Sequence, residues 1–432
     1  MLIGALLTIW QPLDLNTLFT LLPRELKAEI FLHSLSNERP PIIGNSSPSS
    51  ALLRVCKDWR NIALLTPRLW NCFQVVFDGA TDVKHTSSDQ LLSTVSLWVS
   101  RSADTSLSVT LAYIPPSATR GRFNAAVQAV LALLLNCSHR WECIRLIVPG
   151  MTLSPFIESA PHDMGRLQTL DLDLQGEWCA SPFKVQKLGF DWSQLTELNL
   201  SLETGSILTL DECWDILSQA SSLVECSMNA ECVFHERTDA DVLPLALHRF
   251  HLTLQGKITG QATPLVAFLQ SLNLPLLSDL CLRWLVRETI IWEETHSAFV
   301  IFLTSLLPSL EVLHLAYLPV SEEQLLQILR CVPFLHHLIL QFSMSSDHIG
   351  SRFFKAFSSS LDDPFLPHLR RLHIESSGVS WSSQALVKAL DSRIRTGLQF
   401  STYISEKAAS SLWDVFEKWQ GLDVHMRYII IR

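Results

Sequence analysis

Residues Leu22–Val76 read LPRELKAEIFLHSLSNERPPIIGNSSPSSALLRVCKDWRNIALLTPRLWNCFQVV, and the rest of the chain is organised around them. Pro23 stands where a first helical position belongs, because its fixed φ suits a helix start and its missing N–H is no loss there. Glu25 and Glu29 follow in the early turns, favourable near the positive helix end. Leu26, Ile30, Phe31 and Leu35 then form one apolar stripe. In a second helix Leu52, Val55, Cys56, Trp59, Ile62 and Ala63 share one face, with Arg54, Lys57, Asp58 and Arg60 largely off it. Between the two, Asn37–Ser50 is rich in Pro, Ser, Asn and Gly and reads as an exposed loop. Thr66-Pro67 is a cap followed by proline, the start of a short third helix from which Leu69 and Trp70 fold back. Three helices of this size bury little apolar area, and domains so small are marginal alone. The trio is expected to complete its core with a partner.

The whole chain sets broader bounds. Its 432 residues suffice for two or three domains or one elongated one. A hydrophobic fraction of 48% describes a folded protein, and the net charge of −9 with a pI near 5.9 argues against a general nucleic-acid binder, which needs a basic footprint. Ten cysteines occur without a C-x-x-C pair, which fits neither a zinc module nor a disulfide-dense scaffold. Most sit among apolar neighbours and read as small buried hydrophobes of a reducing compartment. Sequons at Asn45, Asn136 and Asn199 carry no weight without secretion. The opening Met1–Trp10 is apolar but lacks a basic n-region and a small-residue cleavage site, so it reads as an N-terminal lead rather than a signal peptide. A membrane span needs about twenty apolar residues, and none is expected. The expected location is cytoplasm or nucleus.

Beyond the trio, Asp78–Asp89 is polar, Gln90–Ser100 is helical, and Leu107-Ser108-Val109-Thr110-Leu111 alternates as a half-buried strand does. Ile114-Pro115-Pro116 breaks the chain, and Ala125–Leu135 is a nearly continuous apolar helix.

From Trp141 a phrase L-x-x-L-x-L recurs with conservative swaps. It stands at Leu167-Leu170-Leu172, Leu195-Leu198-Leu200, Leu247-Phe250-Leu252, Leu277-Leu280-Leu282, Leu310-Leu313-Leu315, Leu335-Leu338-Leu340 and Leu369-Leu372-Ile374. Degenerate copies fit at Trp141-Ile144-Leu146 and Leu223-Cys226-Met228. The starts lie roughly 24 to 34 residues apart, the interval of leucine-rich repeats with insertions. Helical patterns lie between several of them, at Asp211–Ala220, Thr263–Leu272, Ala298–Leu307, Ser321–Cys331 and Ser382–Ile394. A strand plus a helix per unit predicts an α/β fold in which a leucine-rich-repeat-like solenoid, with parallel concave strands and convex helices, follows the three-helix unit. A compact α/β domain is the alternative. A helix over Glu406–Gln420 and a strand over Leu422–Ile431 would cap the open end.

No constellation of catalysis is legible. The chain lacks G-x-S-x-G, a Walker A loop, G-x-G-x-x-G and H-E-x-x-H. His248 and His251 point in opposite directions on a strand, and of His336 and His337 only one can face outward. Asp171 and Asp173 share a face without a third partner. No metal, cofactor or catalytic residue is expected. A binding surface is legible instead: residues alternating with the buried leucines face the concave side. These are Thr169, Asp171, Asp173, Glu197, Asn199 and Ser201 early, then Arg249, His251, Thr253, Asp279, Cys281 and Arg283, and finally His314, His337, Gln341, Arg371, His373 and Glu375. The later set is richer in Arg and His, so Arg249, His251, Arg283, His314, His337, Arg371 and His373 are candidates to hold an acidic partner, more so as the histidines protonate.

The run Leu22-Pro23-x-Glu25-Leu26-x-x-Glu29-Ile30-Phe31, then Val55-Cys56-Lys57-x-Trp59-Arg60-x-Ile62-Ala63, then Thr66-Pro67-Arg68-Leu69-Trp70, resembles the F-box-like domain abundant in mushroom-forming fungi. The helix ending Trp98-Val99-Ser100-Arg101-Ser102, the strand after it and the helix leading to Arg140-Trp141 also look like the elements that come after that domain in the same family. The resemblance implies docking to a Skp-type adaptor, and through it to a cullin, in a ubiquitin ligase. It implies that Leu22, Pro23, Leu26, Ile30, Leu52, Val55, Trp59 and Ile62 supply the adaptor-facing and supporting apolar surface. The layout is then a lead over 1–20, an F-box-like domain over 21–76, a linking segment over 77–140 and the repeats with their cap over 141–432. The expected function is that of a non-catalytic substrate receptor holding an unknown target protein. The alternatives are a repeat-based interaction scaffold without ligase duty and, supported only by the apolar first ten residues, a secreted or membrane-associated hydrolase.

Overall fold

The computed structural model describes residues 19, 21–35, 40–43, 47–78, 88–114, 124–153, 164–174, 185, 191–202, 207–235, 242–255, 263–285, 292–343, 348–358, 365–394, 397–417 and 424–429. The N-terminal lead through residue 18, Asn37–Arg39 and Gly44–Ser46 of the first loop, residues 79–87 of the polar patch, Pro115-Pro116, and Leu422 and the last three residues of the tail lie outside them. The chain divides into two compact units at Phe190/Asp191.

The first unit opens with α1, Arg24–Leu35. Pro23 stands one place ahead of it, and its carbonyl accepts the Lys27 amide at 3.1 Å. Lys27 and Phe31, four apart, mark the buried face. Leu26 and Ile30 lie roughly 60–100° round the helix from that line, and they are exposed. The apolar stripe expected from the sequence is thus split between core and surface.

The second helix is not continuous. It forms as α2, Pro48–Val55, and α3, Lys57–Leu64, broken where Cys56 is extended at φ −157° and ψ 173°. The break is satisfied locally: Cys56 Sγ accepts the Trp59 amide at 3.4 Å, and Arg60 Nε donates to the Leu53 carbonyl at 2.8 Å. Ser47 caps α2, accepting the Ser50 amide at 3.2 Å. Ser47 and Ser49 are buried, and Ile42 forms a parallel bridge with Gln74. The described parts of the loop between α1 and α2 are therefore not a free surface strand of chain. A single turn at Pro67–Leu69 completes the trio.

From there the unit alternates strand and helix: β1 Cys72–Asp78, α4 Ser88–Arg101, β2 Leu107–Ile114, α5 Asn124–Leu135, β3 Trp141–Val148 and β4 Thr169–Leu174. The strands pair in chain order and in parallel. Trp70 anchors the trio to this sheet. Its indole meets Trp98 of α4 edge-on at 5.0 Å, and Phe73 of β1 meets the same Trp98 at 5.7 Å. Ile42 covers the outer edge of β1: Gln74 donates its amide to Pro41 O at 2.9 Å and accepts from Ile43 at 2.8 Å.

The second unit carries β5 Glu197–Ser201, α6 Leu210–Gln219, β6 Glu225–Glu231, β7 Arg249–Leu254, α7 Thr263–Gln270, β8 Asp279–Trp284 and α8 Glu293–Ser305. It continues with β9 Val312–Ala316, α9 Glu322–Arg330, β10 His337–Gln341, α10 Ser351–Phe357, β11 Arg371–Glu375, α11 Ser383–Arg393, β12 Gln399–Ser405, α12 Glu406–Glu417 and β13 Val424–Ile429. All these strands join one parallel sheet in chain order. The architecture is α/β.

Register explains why the phrase repeats. Leu198, Cys226, Phe250, Leu280, Leu313, Leu338, Leu372, Phe400 and Val424 stand opposite one another across the sheet, and all are buried. A strand slipped by one residue would turn its whole apolar set outward, so the leucines fix the pairing. Helices seal the buried face, as where Phe268 of α7 lies 6.5 Å from Phe250 of β7. Capping boxes at Thr209/Glu212 and Ser321/Gln324 start α6 and α9. Glu322 does the same for α10, its Oε1 accepting the amides of Gly350 and Phe353 at 2.8 and 2.9 Å.

Candidate functional site

Two surfaces collect the residues singled out by the sequence, one on each unit. On the first, the helical trio sorts its eight candidates cleanly. Leu52 and Ile62 are buried, and Leu22 and Trp59 are half-buried. Trp59 stacks against Phe31 at 4.8 Å and Phe19 at 5.4 Å, which makes it a core ring of the trio. Pro23, Leu26, Ile30 and Val55 are exposed, Leu26 at 50%, Ile30 at 43% and Val55 at 56%. Pro23, Leu26 and Ile30 are spaced three and four apart, so they line one stripe along α1. Sequence reading passed over Leu21, Leu64 and Leu65, which are also exposed.

The orientation of α1 is held by two ion pairs. Lys27, its side chain 7% exposed, meets Asp58 of α3 at 3.0 Å, and Glu29 meets Arg68 at 3.1 Å. Lys27 and Glu29, two residues apart, point to nearly opposite sides of the helix, and Leu26 and Ile30 lie on the exposed arc between them.

On the second unit the polar face of β5–β13 brings the Arg and His candidates into register. One row runs Glu197, Glu225, Arg249, Asp279, Val312, His337, Arg371 and Gln399. The next runs Asn199, Ser227, His251, Cys281, His314, Ile339, His373, Ser401 and His425. Several members neutralise one another. Arg249 pairs with Glu225 and, at 3.3 Å, with Asp279, which also lies 3.4 Å from His251. Burial alone would raise the Asp279 carboxyl, but the His251 hydrogen bond and the charges of His251 and Arg249 outweigh it and hold it below its ordinary range.

His314 Nε2 donates to Gln341 at 2.8 Å, which leaves Nδ1 to accept the Cys281 thiol at 3.2 Å. Cys281 is buried rather than presented at the surface, and burial pushes its thiol up to about 12. Burial also lowers the His314 and His337 imidazoles, helped by the charge of Arg283 at the first and of Arg371 at the second. Of the histidines expected to add positive charge, His314 and His337 are thus disfavoured in the protonated form. Arg283 is exposed and has no hydrogen bond or ion pair among the described residues.

The sequence reading did not reach β12 and β13 as parts of this face, which they extend. Their residues Gln399, Ser401 and His425 join His337, Arg371 and His373 round a hollow of about 190 Å³. The signal was weak because Thr402 stands where the phrase needs a leucine, in register with Ile374. Among the described residues no group of three or more His, Cys, Asp or Glu side chains could hold a metal ion, and no helix is long and apolar enough to cross a membrane. A scan against models of known protein families finds no match, and a search of curated proteins finds none either.

Proposed function

We propose that the chain is the substrate-receptor subunit of a Skp–cullin–F-box ubiquitin ligase. In this reading residues 21–76 are the F-box-like domain, and the strands and helices from residue 141 onward are a leucine-rich-repeat-like solenoid. The observation that carries it is the open apolar stripe Pro23–Leu26–Ile30 on α1, with Val55 at the end of α2, beside a trio whose own core is closed round Phe31, Trp59 and Ile62. A helix of a Skp-type adaptor laid on that stripe would remove it from water. Leu26 and Ile30 are about half exposed, so each would contribute about 0.7–1.5 kcal/mol when covered.

The repeats would hold the target on their polar face. The receptor makes and breaks no bonds; it raises the local concentration of the target's lysines beside a charged ubiquitin carrier. The in-phase register of the buried row and the alternation of strand and helix support the repeat reading. Cytoplasm or nucleus is where such a complex would work.

The test is co-expression with a Skp-type adaptor. Wild-type chain should capture it. A Leu26→Glu, Ile30→Glu double variant should lose capture while keeping its melting point, since both positions are exposed. Capture that survives the double variant, or a wild-type chain that ignores the adaptor, would leave the interaction-scaffold reading in its place.

A further inference from the structure

The hollow between β10 and β13 differs from the rest of the polar face in what it leaves unpaired. Arg371 spends its Nε on Gln399 Oε1, at 3.1 Å, and both Nη groups are without a partner among the described residues. The imidazoles of His337 and His425, which line the same hollow, are also without one. His373, by contrast, is committed: Nε2 donates to Glu375 at 3.1 Å, and Nδ1 accepts the Ser401 hydroxyl at 2.8 Å. The two Nη groups and the two imidazoles are thus left available on residues that line the hollow. Arg249, on the same row of the face, is paired with two carboxylates instead.

Charge selects the occupant. Arg371 brings one permanent positive charge, and Glu375, bonded to the lining residue His373, brings a negative one. A dianion would meet too little compensation, whereas a planar monoanion can take both Nη donors side by side. We propose that this hollow is a binding site for a single carboxylate group, held bidentately by Arg371 and flanked by His337 and His425. The proposal deepens the reading of the polar face as the target-holding surface, but it does not need the adaptor.

The sources of a carboxylate are a chain terminus, an acidic side chain or a small acid, and the test separates them. Full-length chain carrying ¹³Cε1-histidine is titrated by NMR with acetate, N-acetyl-triglycine, N-acetyl-Gly-Glu-Gly-amide and its neutral Gln counterpart, and inorganic phosphate. Saturable shifts of His337 and His425 are expected with at least one carboxylate probe, roughly tenfold or more tighter than with the Gln peptide. The tightest probe identifies the source. Arg371→Glu should abolish the shifts, Arg371→Lys should weaken them about tenfold by losing the fork, and Arg330→Glu, at an exposed place in the last turn of α9, should leave them unchanged. Equal response to the Gln peptide, saturation by phosphate alone, or equal losses in the Arg371→Glu and Arg330→Glu variants would each overturn the proposal. The adaptor is absent from every arm, so failure here leaves the ligase reading standing, and loss of adaptor capture leaves this site standing.

Discussion

Trp70 Nε1 donates a 2.8 Å hydrogen bond to the carbonyl of Ala63, near the end of α3, with both residues fully buried. The indole thereby joins the helical trio to the Trp98 and Phe73 rings of the strand-and-helix layer behind it. Arg101 lies over the other part of the system, its guanidinium carbon 4.6 Å from the Trp70 ring centre. Trp70→Ala should cost about 3–5 kcal/mol of unfolding free energy. Trp70→Phe should cost less, mainly the loss of one hydrogen bond to a carbonyl that the Thr66 amide also reaches at 3.4 Å, about 0.5–1.5 kcal/mol. Urea melts of both variants check the ordering.

The Lys27–Asp58 pair is asymmetric, one side chain almost wholly buried and the other about half exposed. Removing the exposed partner takes the carboxylate from a mostly buried ammonium, whereas replacing the ammonium by an apolar chain leaves only a carboxylate that water can reach. Asp58→Ala should therefore destabilise by about 1–3 kcal/mol, and Lys27→Met should lie within about 1 kcal/mol of wild type. Equal losses from the two would show that Asp58 is not screened as its exposure implies.

Cys56 holds the break between α2 and α3 with a weak sulfur acceptor. Serine offers a better acceptor in the same extended backbone and ranks among the preferred N-caps. Cys56→Ser should raise stability by a few tenths to about 1 kcal/mol, while Cys56→Ala should lower it by about as much. Thermal melts of the three chains should order Ser above Cys above Ala.

Acid should weaken the second unit in two separate windows. His314 and His337 have imidazoles pushed below the ordinary 6.5 by burial. The unfolded chain then binds protons that the folded one refuses, so their contribution is whole above 6.5 and is lost as pH falls below it. The groups facing His337 are Arg371 and His373, which also lower it, and Asp279, which opposes them. Asp279, held below the ordinary 3.8, loses its contribution only as pH falls below that value. Melts between about pH 7.5 and 5 should show a steady decline that a His314→Asn, His337→Asn double variant flattens. The Asp279 window below it should remain in that variant.

The leucine phrase was legible because burial demands it: every copy from Trp141 to Leu369 leads into a strand, each with its apolar residues inside. Where other side chains filled the inward places, the pattern faded. Thr402 is buried because its hydroxyl donates to Ile374 O at 2.8 Å, a local bond that composition does not announce. The short helix α10 was missed because its start is made by Glu322, distant in sequence. Helical periodicity ran unbroken through Cys56, since an extended residue between two apolar stripes costs the pattern nothing. The candidate surfaces divided in the same way. Periodicity named Leu26, Ile30, Leu52 and Ile62 alike, and only tertiary packing, with Lys27 and Phe31 turned inward, decides which of them meet water.

The short bridge of Ile42 against Gln74 has a bearing on how copies of this chain meet. By taking the outward amide and carbonyl of Gln74, the segment Pro40–Ile43 occupies the middle of that side of β1, where a second molecule could otherwise add a strand. Pro40 and Pro41 have no amide hydrogen to pass onward, so the segment is itself a poor template. A linker cut short across those four residues would unstopper the border, and growth by edge-to-edge stacking, seen as concentration-dependent scattering, is the failure it should reveal.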